Sequence, residues 1–265
     1  MKKRHLIYVA CLLVAMGACS ATSKERTKIT PDAWGKYNVG TVLFEDKAPE
    51  TKGSDIYHRI IPDAESYIKA QAREVLATLY NSPEDSIPTV NKIHYTLEDI
   101  EGVSAKGGGN GDVTIFYSTR HIEKSFAAND TAKLFFETRG VLLHELTHAY
   151  QLEPQGVGSY GTNRVFWAFI EGMADAVRVA NGGFGGPNAR PKGGNYMDGY
   201  RTAGYFFVWL RDNKDPEFLR KFNRSTLEVI PWSFDGAIKH ILGNEYNIDE
   251  LWHEYQVAVG DIQAQ

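Results

Sequence analysis

The sequence predicts an α+β fold: a small twisted sheet with one central helix in an N-terminal lobe, about residues 40–153, and helices in a C-terminal lobe, about 154–265. Three observations carry the prediction. The alternating, β-branched strand patterns all fall before residue 120. Two strongly apolar runs, 141–153 and 166–178, have helical composition, and the first contains neither Gly nor Pro. Beyond residue 200 the pattern stays helical to the end. A length of 265 residues with 43% apolar side chains is enough for one domain with a real core, or two lobes of one.

The chain starts Met1-Lys2-Lys3-Arg4, passes through an apolar stretch from Leu6 to Met16 and reaches Gly17-Ala18-Cys19-Ser20. A positive start, a short apolar stretch and small residues make an export signal, too short to span a membrane as a folded helix. Cysteine directly after Gly17-Ala18 resembles a bacterial lipoprotein cleavage box. Residues 1–18 are therefore expected to be a signal peptide, with a lipid anchor on Cys19 holding the protein to a membrane of the cell envelope. That would be the periplasmic side or outer membrane of a Gram-negative-type cell. The other cysteine, Cys11, lies inside the signal, so disulfides and thiolate metal sites are excluded in the mature chain. Residues 19–39, rich in Ser, Thr, Lys and Asp, read as a tether, leaving 40–265 as the folded domain.

Residues 40–45 form a first strand. Pro62 and Asp63 open a helix in which Ala64, Ile68, Ala72, Val75, Leu76 and Leu79 line one face. Residues 90–98 alternate, with Ile93, Tyr95 and Leu97 on one side and His94 and Thr96 on the other; His94 is an exposed strand residue rather than a ligand. The run Lys106-Gly107-Gly108-Gly109-Asn110-Gly111 lacks the Lys-Ser/Thr ending and the following helix of a phosphate-binding loop, so it reads as a mobile turn. Asp112–Ser118 is the next strand.

The run 141–153 contains His144-Glu145-Leu146-Thr147-His148. Histidines four apart on a helix leave the same face, one turn above the other. Two ring nitrogens can then reach one ion at about 2.0–2.1 Å. Glu145 is rotated off that line and can hold a water on the metal without ligating it, which is the logic of the H-E-x-x-H pattern of zinc sites. The flanks, Leu142, Leu143, Leu146, Ala149 and Tyr150, are apolar, so the imidazoles lie against a core and need partners.

In 166–178, Glu171 and Asp175 are again four apart, among Phe, Ile, Met and Ala rather than lysines. Carboxylates buried in that way cost several kcal/mol unless paired or bound to a metal. The economical arrangement puts Glu171 on the ion and Asp175 behind a ligand histidine, although either carboxylate can in principle reach it. Residues 181–195, with six Gly and two Pro, form either a solvated connector or a substrate-closing flap. Tyr196 and Tyr200 open the next helical run. Asp215-Pro216-Glu217 is expected to cap one later helix and Asp249 another, with Leu251, Trp252 and Tyr255 in the core. His240 and His253 are read as surface or packing residues. There are no internal repeats or heptads.

His-Glu-Leu-Thr-His followed after 22 residues by Glu171-Gly172-Met173-Ala174-Asp175 resembles the gluzincin metallopeptidases, and more narrowly the basic secretory protein family of plants and bacteria. Asp46-Lys47-Ala48-Pro49-Glu50-Thr51, Asp99-Ile100-Glu101-Gly102-Val103-Ser104 and Asp249-Glu250-Leu251-Trp252-His253-Glu254-Tyr255 extend the resemblance from about Val42 to about Val257. The rival metzincin pattern needs a Gly at 151 and a His at 154, where Gln151 and Pro154 stand. The resemblance implies a zincin-like metallopeptidase fold, a Zn2+ ion on His144, His148 and Glu171, and Glu145 as general base. It also implies a downstream tyrosine against the oxyanion, Tyr200 first and Tyr196 second. In zincins the strand just before the metal helix edges the cleft and pairs with an extended peptide; here that would be Asp112–Ser118.

Loss of Lys2, Lys3 and Arg4 with the signal takes the Lys and Arg count from 29 to 26 against 33 Asp and Glu, a balance of −7. Nucleic acid is not an expected partner of such a chain, and any role tied to a basic surface does not carry over from the family's name. The expected function is zinc-dependent hydrolysis of peptide bonds in the cell envelope by a monomer, with a peptide or protein as substrate. The readings set against it are a non-catalytic envelope binding protein for glycan or peptide that keeps a structural zinc, and a zinc hydrolase acting on another bond.

Overall fold

The computed structural model describes residues 32–185 and 189–263. The expected signal peptide and Cys19 lie outside these residues. Helix α1, Asp32–Gly35, falls within the stretch expected to be tether. Trp34 and Val39 are each only 3% exposed, and the Val39 carbonyl accepts the buried Tyr150 hydroxyl at 2.8 Å. Folded structure therefore begins before residue 40, because a tryptophan in an otherwise polar stretch has a core to enter.

Strands β1 (Thr41–Asp46), β2 (Lys92–Glu98), β3 (Ser104–Gly109) and β4 (Asp112–Ser118) form one sheet in the order β1-β2-β4-β3. β1, β2 and β4 are parallel, and β3 runs antiparallel to β4. The crossover from β1 to β2 holds α2 (Lys52–Ile60) and α3 (Ala64–Leu79), and the expected apolar face of α3 is buried throughout. Asp63 caps α3 by accepting from the Ser66 N–H at 3.0 Å. Ile93, Tyr95 and Leu97 are buried as their alternation requires, while His94 keeps to the other face, 2.8 Å from Glu45.

The sheet differs from expectation at one edge. The glycine run is strand β3 rather than a mobile turn, and it, not Asp112–Ser118, is the edge strand; β4 is flanked by β2 and β3. Gly109 pairs with Asp112 across a two-residue turn at Asn110 (φ 52°) and Gly111 (φ 83°). Positive φ at both positions is the hairpin geometry that Asn-Gly favours, because its twist matches that of the flanking strands.

After α4 (Thr119–Ser125) comes the long α5 (Thr131–Tyr150), which starts ten residues before the apolar run that announced it. Its N-cap Asp130 accepts from the Lys133 N–H at 2.9 Å. Helix α6, Arg164–Ala180, is capped by Asn163 and buried along most of its length. A 3-10 turn, Tyr196–Asp198, leads into α7, Tyr200–Asn213. Gly204 lets α7 lie directly on α6: a Cβ there would sit 2.9 Å from the Ala176 backbone nitrogen. Helices α8 (Phe218–Glu228), α9 (Phe234–Leu242) and α10 (Ile248–Ala258) complete the chain.

These last helices close an aromatic core in which Phe169 of α6 meets Trp232 at 4.7 Å and Phe207 of α7 meets Phe222 at 4.9 Å between ring centres. The caps differ in detail from those expected. Asn247, not Asp249, caps α10; Glu217 precedes α8 without a side-chain cap, while Asp215 accepts from the Glu217 N–H. Leu251, Trp252 and Tyr255 are buried, and His240 is exposed beside Glu228. Among the described residues no helix is long and apolar enough to cross a membrane.

Candidate metal centre

Packing of α6 against α5 brings the two four-residue spacings face to face. His144 Nε2 and His148 Nε2 stand 3.1 Å apart, with their rings perpendicular. Glu171 Oε2 lies 3.3 Å from the first nitrogen and 3.7 Å from the second. These three side chains can place one ligand atom each within 4.8 Å of one another. Glu171 Oε2 is buried and has no hydrogen-bond partner, which is costly for a carboxylate oxygen unless a cation takes its lone pairs. The donor set, two imidazoles and a carboxylate, suits a borderline metal such as zinc.

The surrounding groups are arranged to hold those donors. Asp175 Oδ1 is 2.7 Å from His144 Nδ1, so the ring's other nitrogen is directed at the trio. The Tyr160 hydroxyl donates to Glu171 Oε1 at 2.6 Å, leaving Oε2 free. His148 Nδ1 lies 2.8 Å from the Gln151 carboxamide, at the C-terminal cap of α5.

The electrostatics point the same way. Burial opposes a charged His144, but a ring that donates to the Asp175 carboxylate, the Glu171 carboxylate close by and the charges of Asp175 and Glu145 prevail and push it up to about 10. Burial and the neighbouring His144 take His148 down to about 3. Three carboxylates, Glu145, Glu171 and Asp175, thus crowd the two imidazoles, an arrangement that a bound cation would balance. Glu145 is 6% exposed; burial pushes its carboxyl up, partly offset by His144, the Ser104 hydroxyl and the Lys106 backbone N–H.

The trio opens into a cleft of about 790 Å³, one wall of which is edge strand β3 through Ser104, Ala105 and Lys106. Of the two candidate tyrosines, Tyr200 lines this cleft, its ring nearly parallel to that of His144 at 6.0 Å and 47% exposed. Tyr196 is engaged elsewhere: its hydroxyl donates to Asp249 Oδ1 at 3.0 Å and its ring packs on Phe234. The loop 181–195 reaches the cleft with Phe184, and its later part is tied down, because Arg190 makes paired bonds of 2.6 and 2.7 Å to Asp261.

Sequence reasoning missed Tyr160, Gln151 and the β3 wall. For β3 the Asn110-Gly111 dipeptide was a usable hairpin signal. Tyr160 sits in a connector with no periodicity, and only the return of the chain over α6 brings it to Glu171.

Two packed helices that present His144, His148 and Glu171 to a cleft beside a small mixed sheet define an α+β protein with a site able to hold a metal ion. The chain belongs to the family BSP, described as peptidase of plants and bacteria, whose profile matches residues 39–255. That is the family its motifs resemble. No curated protein and no solved structure matches the chain.

Proposed function

We propose that this protein is a zinc-dependent metallopeptidase of zincin-like fold, hydrolysing peptide bonds in the cell envelope, the compartment its N-terminal signal addresses. The observation that carries the reading is the position of Glu145. It is the one carboxylate on the motif that takes no part in the His144–His148–Glu171 trio, yet it is buried beside it and faces the cleft wall. Zinc held by the trio would acidify a water towards a pKa of about 7 and polarise a carbonyl.

Glu145 takes the proton of the attacking water and passes it to the leaving amine, a role helped by burial that raises its carboxyl towards the working pH. Asp175 and Tyr160 keep His144 and Glu171 oriented. Tyr200, which lines the cleft, donates to the oxyanion as it forms. β3, with one free edge, offers backbone N–H and C=O groups to an extended peptide, so that main-chain pairing supplies affinity and side chains add limited selectivity.

The competing reading is a binding protein that keeps zinc structurally. Closed structural sites use four protein ligands, whereas three converge here among the described residues, which favours catalysis. Glu145→Gln separates the two. The variant should keep one zinc per chain and an unchanged Tm, while hydrolysis of a peptide library falls by at least about 10²–10⁴-fold. Loss of zinc would make Glu145 a ligand. Wild-type zinc binding with no hydrolysis of any peptide would favour the binding protein, and equal rates for wild type and variant would defeat the mechanism.

A further inference from the structure

We propose that Gln151 selects the metal-binding tautomer of His148, with its carboxamide oxygen accepting the Nδ1 proton. The proposal rests on the metal-binding half of the reading above and not on peptide hydrolysis.

His148 turns Nε2 to the trio, 3.1 Å from His144 Nε2 and 3.7 Å from Glu171 Oε2. An imidazole nitrogen binds a cation through its lone pair, so the ring proton must then sit on Nδ1. Histidines that ligate metals nearly always donate that second N–H to an acceptor, which fixes tautomer and ring orientation. For His144 the acceptor is the carboxylate of Asp175. Among the described residues the partner of His148 at Nδ1 is Gln151, whose carboxamide stands with Nε2 towards the ring at 2.8 Å.

That orientation suits the opposite tautomer. A carboxamide nitrogen can only donate, so Nδ1 would have to accept and the proton would occupy Nε2, blocking the nitrogen the site needs. Gln151 Oε1 is buried and has no hydrogen-bond partner. A half-turn of the amide exchanges two atoms of nearly equal size and breaks no bond that Oε1 makes. It converts the 2.8 Å contact into Nδ1–H donating to Oε1. Oxygen and nitrogen of an amide are assigned from their hydrogen-bond network, and here a bound cation would complete that network.

The residue is well placed to do this. Gln151 is 5% exposed. Its backbone N–H closes the last turn of α5 on the Thr147 carbonyl, and the next residue, Leu152, donates its N–H to Asn223 at 2.9 Å. The two ligand histidines thus receive unlike partners: an anionic carboxylate behind His144 and a neutral carboxamide behind His148. The neutral partner keeps a fourth carboxylate out of a site that already holds Glu145, Glu171 and Asp175.

The test measures zinc affinity by chelator competition and the histidine tautomers by ¹⁵N-correlated NMR of the zinc-loaded protein. Gln151→Leu, similar in size but without an acceptor, should bind zinc about 10–100-fold more weakly. Gln151→Glu, which can accept but not donate, should bind at least as tightly as wild type. In wild type and Gln151→Glu the proton of His148 should be on Nδ1. Wild-type affinity in Gln151→Leu at an unchanged Tm, or zinc bound through Nδ1 of His148, overturns the proposal alone. If Gln151→Leu fails to fold, weakened binding in Gln151→Glu overturns it instead. No zinc uptake by the wild type overturns the metal reading and this proposal together. None of these measurements needs an active peptidase.

Discussion

Helices α5 and α6 clasp two ionic clusters within a few turns of each other, and the two are built on opposite terms. In the first, Glu137 receives Arg178 at 2.7 Å and His121 at 3.2 Å. Arg178 is always charged, so this cluster neutralises itself. Gly140 makes room for the guanidinium, since a Cβ there would lie 2.4 Å from Arg178 Nε. In the second cluster, Glu145, Glu171 and Asp175 surround His144 and His148, and among the described residues no Arg or Lys side chain is bonded to any of the three carboxylates. It is able to take a metal ion as its cation. The comparison separates structural burial of charge from burial that prepares a site: in the first both Glu137 oxygens are partnered and the buried orphan is Arg178 Nε, a donor that no cation can satisfy, whereas the second orphans Glu171 Oε2, an acceptor that a cation can.

The largest test removes the anchor of that cation. Glu171→Ala should reduce zinc from one per chain to near none, whereas Asp175→Ala should weaken binding by about 10–100-fold, as changes behind a ligand do. Metal analysis giving the reverse order would exchange their roles.

The self-sufficient cluster should fail differently. Arg178→Met strands Glu137 and should destabilise the fold by about 3 kcal/mol, the lower end of the range for broken buried pairs, because Glu137 keeps 28% of its side chain exposed. Zinc stoichiometry should stay at one per chain. Urea unfolding and metal analysis of the same sample check both halves, and simultaneous loss of zinc would show that the two clusters are one unit.

The smallest effect is one of pH. Burial raises the Glu137 carboxyl, but the His121 hydrogen bond and the Arg178 charge outweigh it and hold it below its ordinary value of 4.5. A depressed carboxylate stabilises the fold at pH above the unfolded value, and that stability is lost as pH falls below it. The gap in unfolding free energy between wild type and Glu137→Gln should therefore narrow as pH drops below about 4.5. A gap that stays constant from pH 7 to pH 3.5 would remove Glu137 from the account.

Much of the candidate site was legible because helical spacing is a local property. Four residues make a turn and a little more, so His144 with His148, and Glu171 with Asp175, were bound to share faces once the runs were helical. The apolar neighbours told that those faces were inside. The same reasoning located the buried faces of α3 and β2. It failed at Lys106–Gly111, where glycine composition argued for a loop. β4 decides that stretch by pairing with it, and a strand in a sheet tolerates glycine when its partner supplies the hydrogen bonds.

The sequence by itself determined the chemistry available: two imidazoles and two carboxylates, each pair fixed by i to i+4 geometry, with Glu145 set to one side. Only the tertiary structure decided which nitrogen and which oxygen meet. Contacts between helices depend on the crossing that distant residues impose, here Gly204 of α7 seating α6 and the aromatic core behind it. For the same reason Tyr160 carries no mark in the local sequence of the tie it makes. Its partner Glu171 lies on another element, and proximity across such a gap is set by the packing of the whole core rather than by the spacing of neighbours.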